Sequence, residues 1–103
     1  MKITMTGFAK QQIRETAKYI YTEFGKNSKD TFILKLNQTK RLLETNPCIG
    51  PVEPLLSDLP SNYRSIVVGH LNKLIYRVLD DCIEISDLWD VRRNPNILTD
   101  QLK

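Results

Sequence analysis

The sequence predicts an α+β domain in which an N-terminal helical hairpin packs on one face of a small, mainly antiparallel β-sheet. Three observations carry the prediction. Residues 7–46 hold two stretches of apolar side chains at helical spacing, residues 63–89 hold three β-branched or aromatic runs, and a Pro-rich connection separates the two halves. An apolar helix stripe and an apolar sheet face must bury one another, so the order β-α-α-β-β-β closes as helices on a sheet.

The first element is Lys2-Ile3-Thr4-Met5, whose alternation of polar and apolar residues suits a short strand. Thr6 follows as an N-cap, because its hydroxyl accepts from the free N–H groups of a first helical turn. Ala9, Ile13, Ala17, Ile20 and Phe24 then recur at intervals of four, four, three and four, an apolar stripe closed by Gly25 as the C-cap. Ser28, with Asp30 just inside, opens a second helix. There Phe32, Leu36, Thr39 and Leu43 share a face that Ile33 and Leu42 widen. Asn46-Pro47 ends it, since the residue before proline avoids the helical region. A link of only a few residues makes the helices antiparallel neighbours.

From Pro47 to Asn62 the four prolines Pro47, Pro51, Pro54 and Pro60, with Gly50 among them, mark the segment as an irregular connection. Three strands follow, from Tyr63 to Gly69, Lys73 to Leu79 and Ile83 to Trp89, joined by hairpin-length turns at His70-Leu71-Asn72 and Asp80-Asp81-Cys82. Alternation puts Leu74, Tyr76 and Val78 on one side of the middle strand and Lys73, Ile75, Arg77 and Leu79 on the other. The first set is the more apolar and is assigned to the helices, leaving Lys73 and Arg77 on the open face. In the last strand Ile83, Ile85, Asp87 and Trp89 alternate with Glu84, Ser86, Leu88 and Asp90. Neither set is cleanly apolar, which points to contact on both sides, with Trp89 in the core.

At 103 residues the chain is read as one domain, 1–103. Its 41% hydrophobic and 26% charged residues are those of an ordinary globular protein. Apolar runs fall far short of the ~20 residues of a membrane span and no basic-then-apolar leader opens the chain, so the expected location is cytoplasmic, without membrane partners. Cys48 and Cys82 lack CxxC or His-rich spacing and read as structural filler. With one histidine and no HExxH, GxSxG, P-loop or Gly-rich dinucleotide motif, the expected chemistry uses neither metal nor cofactor.

The net charge of +3 is uneven. Met1 to Asn46 carries nine Lys or Arg against four acids, Pro47 to Tyr63 none against two, and Arg64 to Lys103 six against six. A basic helical half attracts nucleic acid or an acidic protein segment. In the sheet half, Arg64, Lys73, Arg77, Arg92 and Arg93 are candidates to converge across neighbouring strands as a phosphate site, for which guanidinium is well shaped. The competing arrangement is a set of surface ion pairs with Asp80, Asp81, Asp87 and Asp90. His70 stands in a turn, as an exposed turn residue or a substrate contact.

The basic hairpin, the "NPCIGPVEPLL" connection and the run "YRSIVVGHLNKLIYRVLDDCIEISDLWDVRRNP" together resemble the RelE/ParE superfamily of bacterial toxin-antitoxin toxins, the plasmid-stabilisation type. The resemblance covers nearly the whole chain and is strongest in "LIYRVLDDCIEI" and the "RRNP" ending. It implies a toxin silenced by the C-terminal segment of a cognate antitoxin within a hetero-oligomer. RelE-like members are metal-independent, ribosome-dependent endoribonucleases (mRNA interferases) that turn the 2′-hydroxyl of RNA on the adjacent phosphate. ParE-like members are DNA gyrase poisons without that catalytic set.

Carried over by residue, the resemblance makes Lys73 the holder of the scissile phosphate. Arg64 would activate the 2′-hydroxyl or bind phosphate, and Arg92 or Arg93 would stabilise charge developing on the leaving oxygen. Arg77, His70 and Asn94 are the accompanying substrate contacts. The chain after Pro95 has neither the Tyr nor the His that RelE-like toxins often carry there. The reading favours cleavage of ribosome-bound mRNA, with gyrase inhibition or an inactive antitoxin-binding relic as alternatives.

Overall fold

The computed structural model describes residues 1–69 and 72–90. Strand β1 (Lys2–Met5) leads into helices α1 (Gly7–Phe24) and α2 (Lys26–Thr45). A 3-10 turn at Pro54–Leu56 precedes β2 (Arg64–Val68), β3 (Asn72–Val78) and β4 (Cys82–Asp90). The sheet order is β1-β4-β3-β2. β2 and β4 pair antiparallel with β3, whereas β1 lies parallel to β4. The two-helix crossover is what allows that parallel pairing. The predicted α+β class and element order therefore hold.

Thr6 caps α1 as its sequence position implies, its Oγ1 accepting from the Ala9 N–H at 3.0 Å. The same residue anchors the helix to the sheet, donating its N–H to the Ile85 carbonyl at 3.0 Å and its hydroxyl to the Ser86 carbonyl at 3.3 Å. The helix link is a single residue. Gly25 sits at φ 93 and ψ 178, a region open essentially to glycine alone, and its carbonyl accepts from the Lys29 N–H at 3.2 Å. That turn starts α2 at Lys26, ahead of the predicted Ser28 cap. The Ser28 hydroxyl instead bonds back to the Phe24 carbonyl at 3.4 Å. Two residues assigned to the apolar stripes face water: Phe24 is 65% exposed and Leu42 41% exposed. Phe24 rests edge-on against Tyr19, with ring centroids 6.4 Å apart.

Between the helices and the sheet, Ala9, Ala17, Phe32, Leu36 and Leu43 pack against Val68, Leu74, Tyr76, Ile83, Ile85 and Leu88. A β-bulge explains the uneven pattern of the last strand. Tyr76 pairs with Ile85 and Ile75 with Asp87, so Ser86 is an extra residue. Alternation flips there. Ile83 and Ile85 before the bulge and Leu88 after it all join the helical core, while Trp89 belongs to the opposite side.

That opposite side is covered, contrary to the expectation that Lys73 and Arg77 look out from an open face. The connection crosses the β2 edge, with the Ser65 N–H on the Pro51 carbonyl at 3.0 Å and the Glu53 N–H on the Tyr63 carbonyl at 2.8 Å. Leu56 and Tyr63 then pack on Ile75 and Trp89 as a second, smaller core. Wrapping β2 in this way occupies part of an edge otherwise free to pair with another chain. Cys48 is exposed, so it fills no core, and Cys82 is half-buried.

Candidate functional site

The strand register places each described candidate. On β2, Ile66 and Val68 pack toward the helices, and Arg64, two residues before Ile66, points to that same side. Lys73 and Arg77 lie on the other face of β3, between the helix-facing Leu74, Tyr76 and Val78. Arg64 and Lys73 are thus on opposite faces of the sheet. Lys73 and Arg77 share a face but stand four strand residues apart, about 13 Å. The described basic residues do not converge on one point. His70, Arg92, Arg93 and Asn94 lie outside the described residues.

Each of the described candidates Arg64, Lys73 and Arg77 has partners within the chain. Arg64 Nη1 donates to the Gly50 carbonyl at 2.8 Å and to the Cys48 carbonyl at 3.4 Å, pinning the start of the connection. Gly50 is buried here and donates its N–H to the Tyr76 hydroxyl at 2.9 Å. A Cβ at Gly50 would lie 2.5 Å from the Ser65 carbonyl oxygen and 2.8 Å from the Tyr76 hydroxyl, so only glycine fits. Burial pushes the Tyr76 phenol above its ordinary pKa, outweighing the Gly50 hydrogen bond and the Arg64 charge. A phenol kept protonated in this way is a structural hydrogen-bonding group and not a proton acceptor.

Lys73 Nζ stands 3.3 Å from Glu53 Oε2 and 5.7 Å from the centroid of the Trp89 ring. The Glu53 carboxylate, 1% exposed, also accepts from the Ser65 hydroxyl and from the Leu55 N–H. Four strand residues further, Arg77 Nε meets Glu84 Oε1 at 3.0 Å and its Nη1 meets the Ser61 hydroxyl at 2.8 Å, with the guanidinium over Tyr63. The bond to Glu84 holds the Arg77 guanidinium above even its ordinary high pKa, against the effect of burial. The acids expected to neutralise this face were Asp80, Asp81, Asp87 and Asp90. The acids that pair with Lys73 and Arg77 are Glu53 and Glu84.

Glu53 was not among the sequence candidates. Its one signal is an acid directly before Pro54, the arrangement of an N-cap followed by proline in the first turn of a helix. Its target was not legible, because Ser65 and Lys73 lie 12 and 20 residues away in the chain.

A groove of about 890 Å³ opens between α1, α2 and the sheet, with Tyr19, Phe24, Phe32, Val68, Leu88 and Asp90 among its walls. Among the described residues no three His, Cys, Asp or Glu side chains gather into a metal-binding group. No described helix is long and apolar enough to cross a membrane.

Comparison with known proteins agrees with this architecture. Residues 3–95 match the family model described as ParE toxin of type II toxin-antitoxin system, parDE. A chain of the chromosomal ParDE toxin-antitoxin system from P. aeruginosa superposes with a TM-score of 0.71 at 16% identity, over 88% of this chain and 96% of that one. The YoeB dimer from Staphylococcus aureus gives a TM-score of 0.57 at 27% identity, over 84% and 92%. The heterotetrameric YoeB-YefM toxin-antitoxin complex from the same species gives 0.54 at 24%, over 84% and 92%. No curated protein matches the chain. Toxins of this fold form complexes with cognate antitoxins, as the YoeB-YefM complex does. With the family model spanning nearly all of its length, the chain belongs to the ParE toxin family of type II toxin-antitoxin systems, within the RelE/ParE superfamily.

Proposed function

We propose that this toxin arrests growth by binding its target rather than by cutting RNA, and that the target is DNA gyrase, as the resemblance to ParE-like toxins implies. One observation carries the reading: Arg64 and Lys73, half of the candidate catalytic set, face opposite sides of the sheet and are each engaged inside the chain. Metal-free cleavage of RNA needs a base for the 2′-hydroxyl and donors for the same phosphate within hydrogen-bond reach of one substrate. A guanidinium on two backbone carbonyls and an ammonium on a buried carboxylate do not supply that pair. The family match to ParE toxins points the same way.

The cognate antitoxin holds the toxin silent by laying an amphipathic segment along the groove between the helices and the sheet, with its apolar side on the exposed rings of Tyr19 and Phe24. Antitoxin complexes of similar toxins support such a partner. Acidic residues on that segment complement the basic surface of α1 and α2.

Two assays on the same preparation test the target. Purified toxin is expected to block supercoiling by gyrase, and its induction in cells is expected to leave messages intact in primer extension. Cuts inside translated reading frames that disappear in an Arg92→Ala, Arg93→Ala double variant would replace this reading with mRNA cleavage. Intact messages, active gyrase and normal growth would leave an antitoxin-binding relic.

A further inference from the structure

The helical hairpin has two unlike sides. Toward the groove, α1 presents Gln12, Glu15, Thr16 and Tyr19, and Lys35 of α2 is the one cation among the described wall residues. The other side is basic. Lys10, Arg14 and Lys18 follow at intervals of four on α1, all exposed, and climb one face of the helix in steps of about 6 Å. Lys29 Nζ stands 5.7 Å from the centroid of the Tyr21 ring, which identifies the side of α2 that borders this face. Tyr21 and Lys10 are separated by eleven residues, as are Lys29 and Lys40, and that is about three helical turns in each case. In an antiparallel pair Lys40 therefore comes level with Lys10. Five of the nine Lys and Arg of residues 1–46 thus line one valley, about 16 Å long.

None of the five forms an ion pair among the described residues. Of the hairpin's acids, Glu15 accepts from Gln11 Nε2 at 3.1 Å and Asp30 faces Lys26 at 3.9 Å. Glu23, two residues past Tyr21, falls on the far side of α1, and Glu44 lies in the last turn of α2, beyond Lys40. Like charges four residues apart on a helix repel one another. No acid among the described residues is paired with the row to offset that repulsion, so an anion from outside is what it suits.

We infer that this valley binds the phosphate backbone of duplex DNA without reading its sequence. The inference rests on the proposed function, in which the target itself acts on DNA, and extends it to a second contact. A protein partner fits less well. Lysine is depleted and aromatic residues are enriched at protein interfaces, and the one ring here, Tyr21, is capped by Lys29. Single-stranded RNA is held largely by bases stacked on free aromatic faces, which the valley does not offer. A duplex carries one negative charge per about 1.7 Å of its axis, so it presents a phosphate to every cation of the row. Such contacts position a protein on DNA and carry no sequence information.

The test is fluorescence anisotropy of a short labelled duplex titrated with the full chain between about 50 and 200 mM salt. Each phosphate contact contributes about −0.9 to the slope of log affinity against log salt. The double variant Arg14→Gln, Lys18→Gln is therefore expected to flatten the slope by about 2 and to weaken binding at least about tenfold at the lower salt. Glutamine is a good helix former at these exposed positions, so the fold is kept. Lys35→Gln, Arg41→Gln removes the same charge from outside the valley, Arg41 lying about 100° around α2 from Lys40, and is expected to leave the slope unchanged.

Equal losses in the two double variants overturn the inference, since net charge alone would then attract DNA. A wild type that does not bind the duplex overturns it as well. Tighter binding of a single-stranded RNA of the same length overturns the assignment to DNA. Antitoxin affinity that falls in Arg14→Gln, Lys18→Gln while duplex binding holds gives the valley to an acidic protein segment instead. The supercoiling assay separates all of this from the proposed function. Duplex binding by a chain that leaves gyrase active removes the target and keeps the valley, while gyrase inhibition by a chain that does not bind the duplex does the reverse.

Discussion

The two faces of the sheet are held by different physics. On the helix side, Leu74, Tyr76, Ile83 and Ile85 are fully buried beneath two long helices, and the stabilisation is apolar area removed from water. On the loop side the core shrinks to Leu56, Tyr63, Ile75 and Trp89, and around it charged groups are matched one by one: Lys73 with Glu53, Arg77 with Glu84. A broad apolar face tolerates repacking because burial is non-directional. A small core bordered by ions depends most on the partners of the buried Glu53 carboxylate, since a buried charge left alone is costly.

The largest expected effect of a single substitution falls on the helix side. Leu74→Ala is expected to cost about 2–5 kcal/mol in urea unfolding, from lost burial and the cavity left behind. Leu56→Ala should lie near the bottom of the same range, about 2 kcal/mol, because an exposed connection can settle into the space. Equal losses would show that the loop side is packed as firmly as the helix side and would break the contrast.

Gly50→Ala probes the place where the connection passes from one face to the other. Its Cβ would collide with the Ser65 carbonyl oxygen, and about 1–3 kcal/mol should be lost as the backbone shifts. Tyr76→Phe leaves the buried Gly50 N–H without its acceptor, at about 1–2 kcal/mol. The tyrosine also predicts a pH dependence. Its folded-state pKa is raised, so the unfolded chain ionises first, near about pH 10. The contribution of the protonated phenol is complete below that value and is lost as pH rises through the folded pKa. Unfolding followed from pH 8 upward should therefore show a decline in stability that Tyr76→Phe reduces.

The smallest effect is expected from Arg77→Ala. Its pair with Glu84 is partly exposed, with side-chain accessibilities of 30% and 23%, and such pairs contribute roughly 0–1 kcal/mol. A shift of the urea midpoint within that range keeps Arg77 as a rim residue. A loss well beyond it would make the Arg77-Tyr63-Ser61 contacts part of what holds the connection down.

Most of the fold was legible because it depends on local chemistry and periodicity. Thr6 caps α1, Gly25 ends it, and the alternation of Leu74, Tyr76 and Val78 against Lys73, Ile75 and Arg77 identified the helix-facing side correctly. The second helix was started too late because a single glycine at φ 93 turns the chain more sharply than a capping serine would. The last strand defied a two-face assignment because one bulged residue, Ser86, reverses its alternation. Little of the candidate site was legible beyond its residue types. That Arg64 and Lys73 face opposite ways follows from the pairing register, and that Glu53 neutralises Lys73 follows from where a proline-rich connection lands.

The sequence by itself determined the elements, their order and the apolar side of β3, because caps, turns and side-chain period act between near neighbours in the chain, and its quoted segments carried the resemblance to a toxin superfamily. Tertiary structure decided that the supposedly open face is covered, that the arginine and lysine of the expected phosphate site are divided by the sheet, and that a glutamate occupies the place beside the lysine. Those outcomes join residues 12 to 20 positions apart. They arise because a connection with little regular structure of its own has to satisfy its backbone, bury Leu56 and balance its charge against whichever strand it crosses.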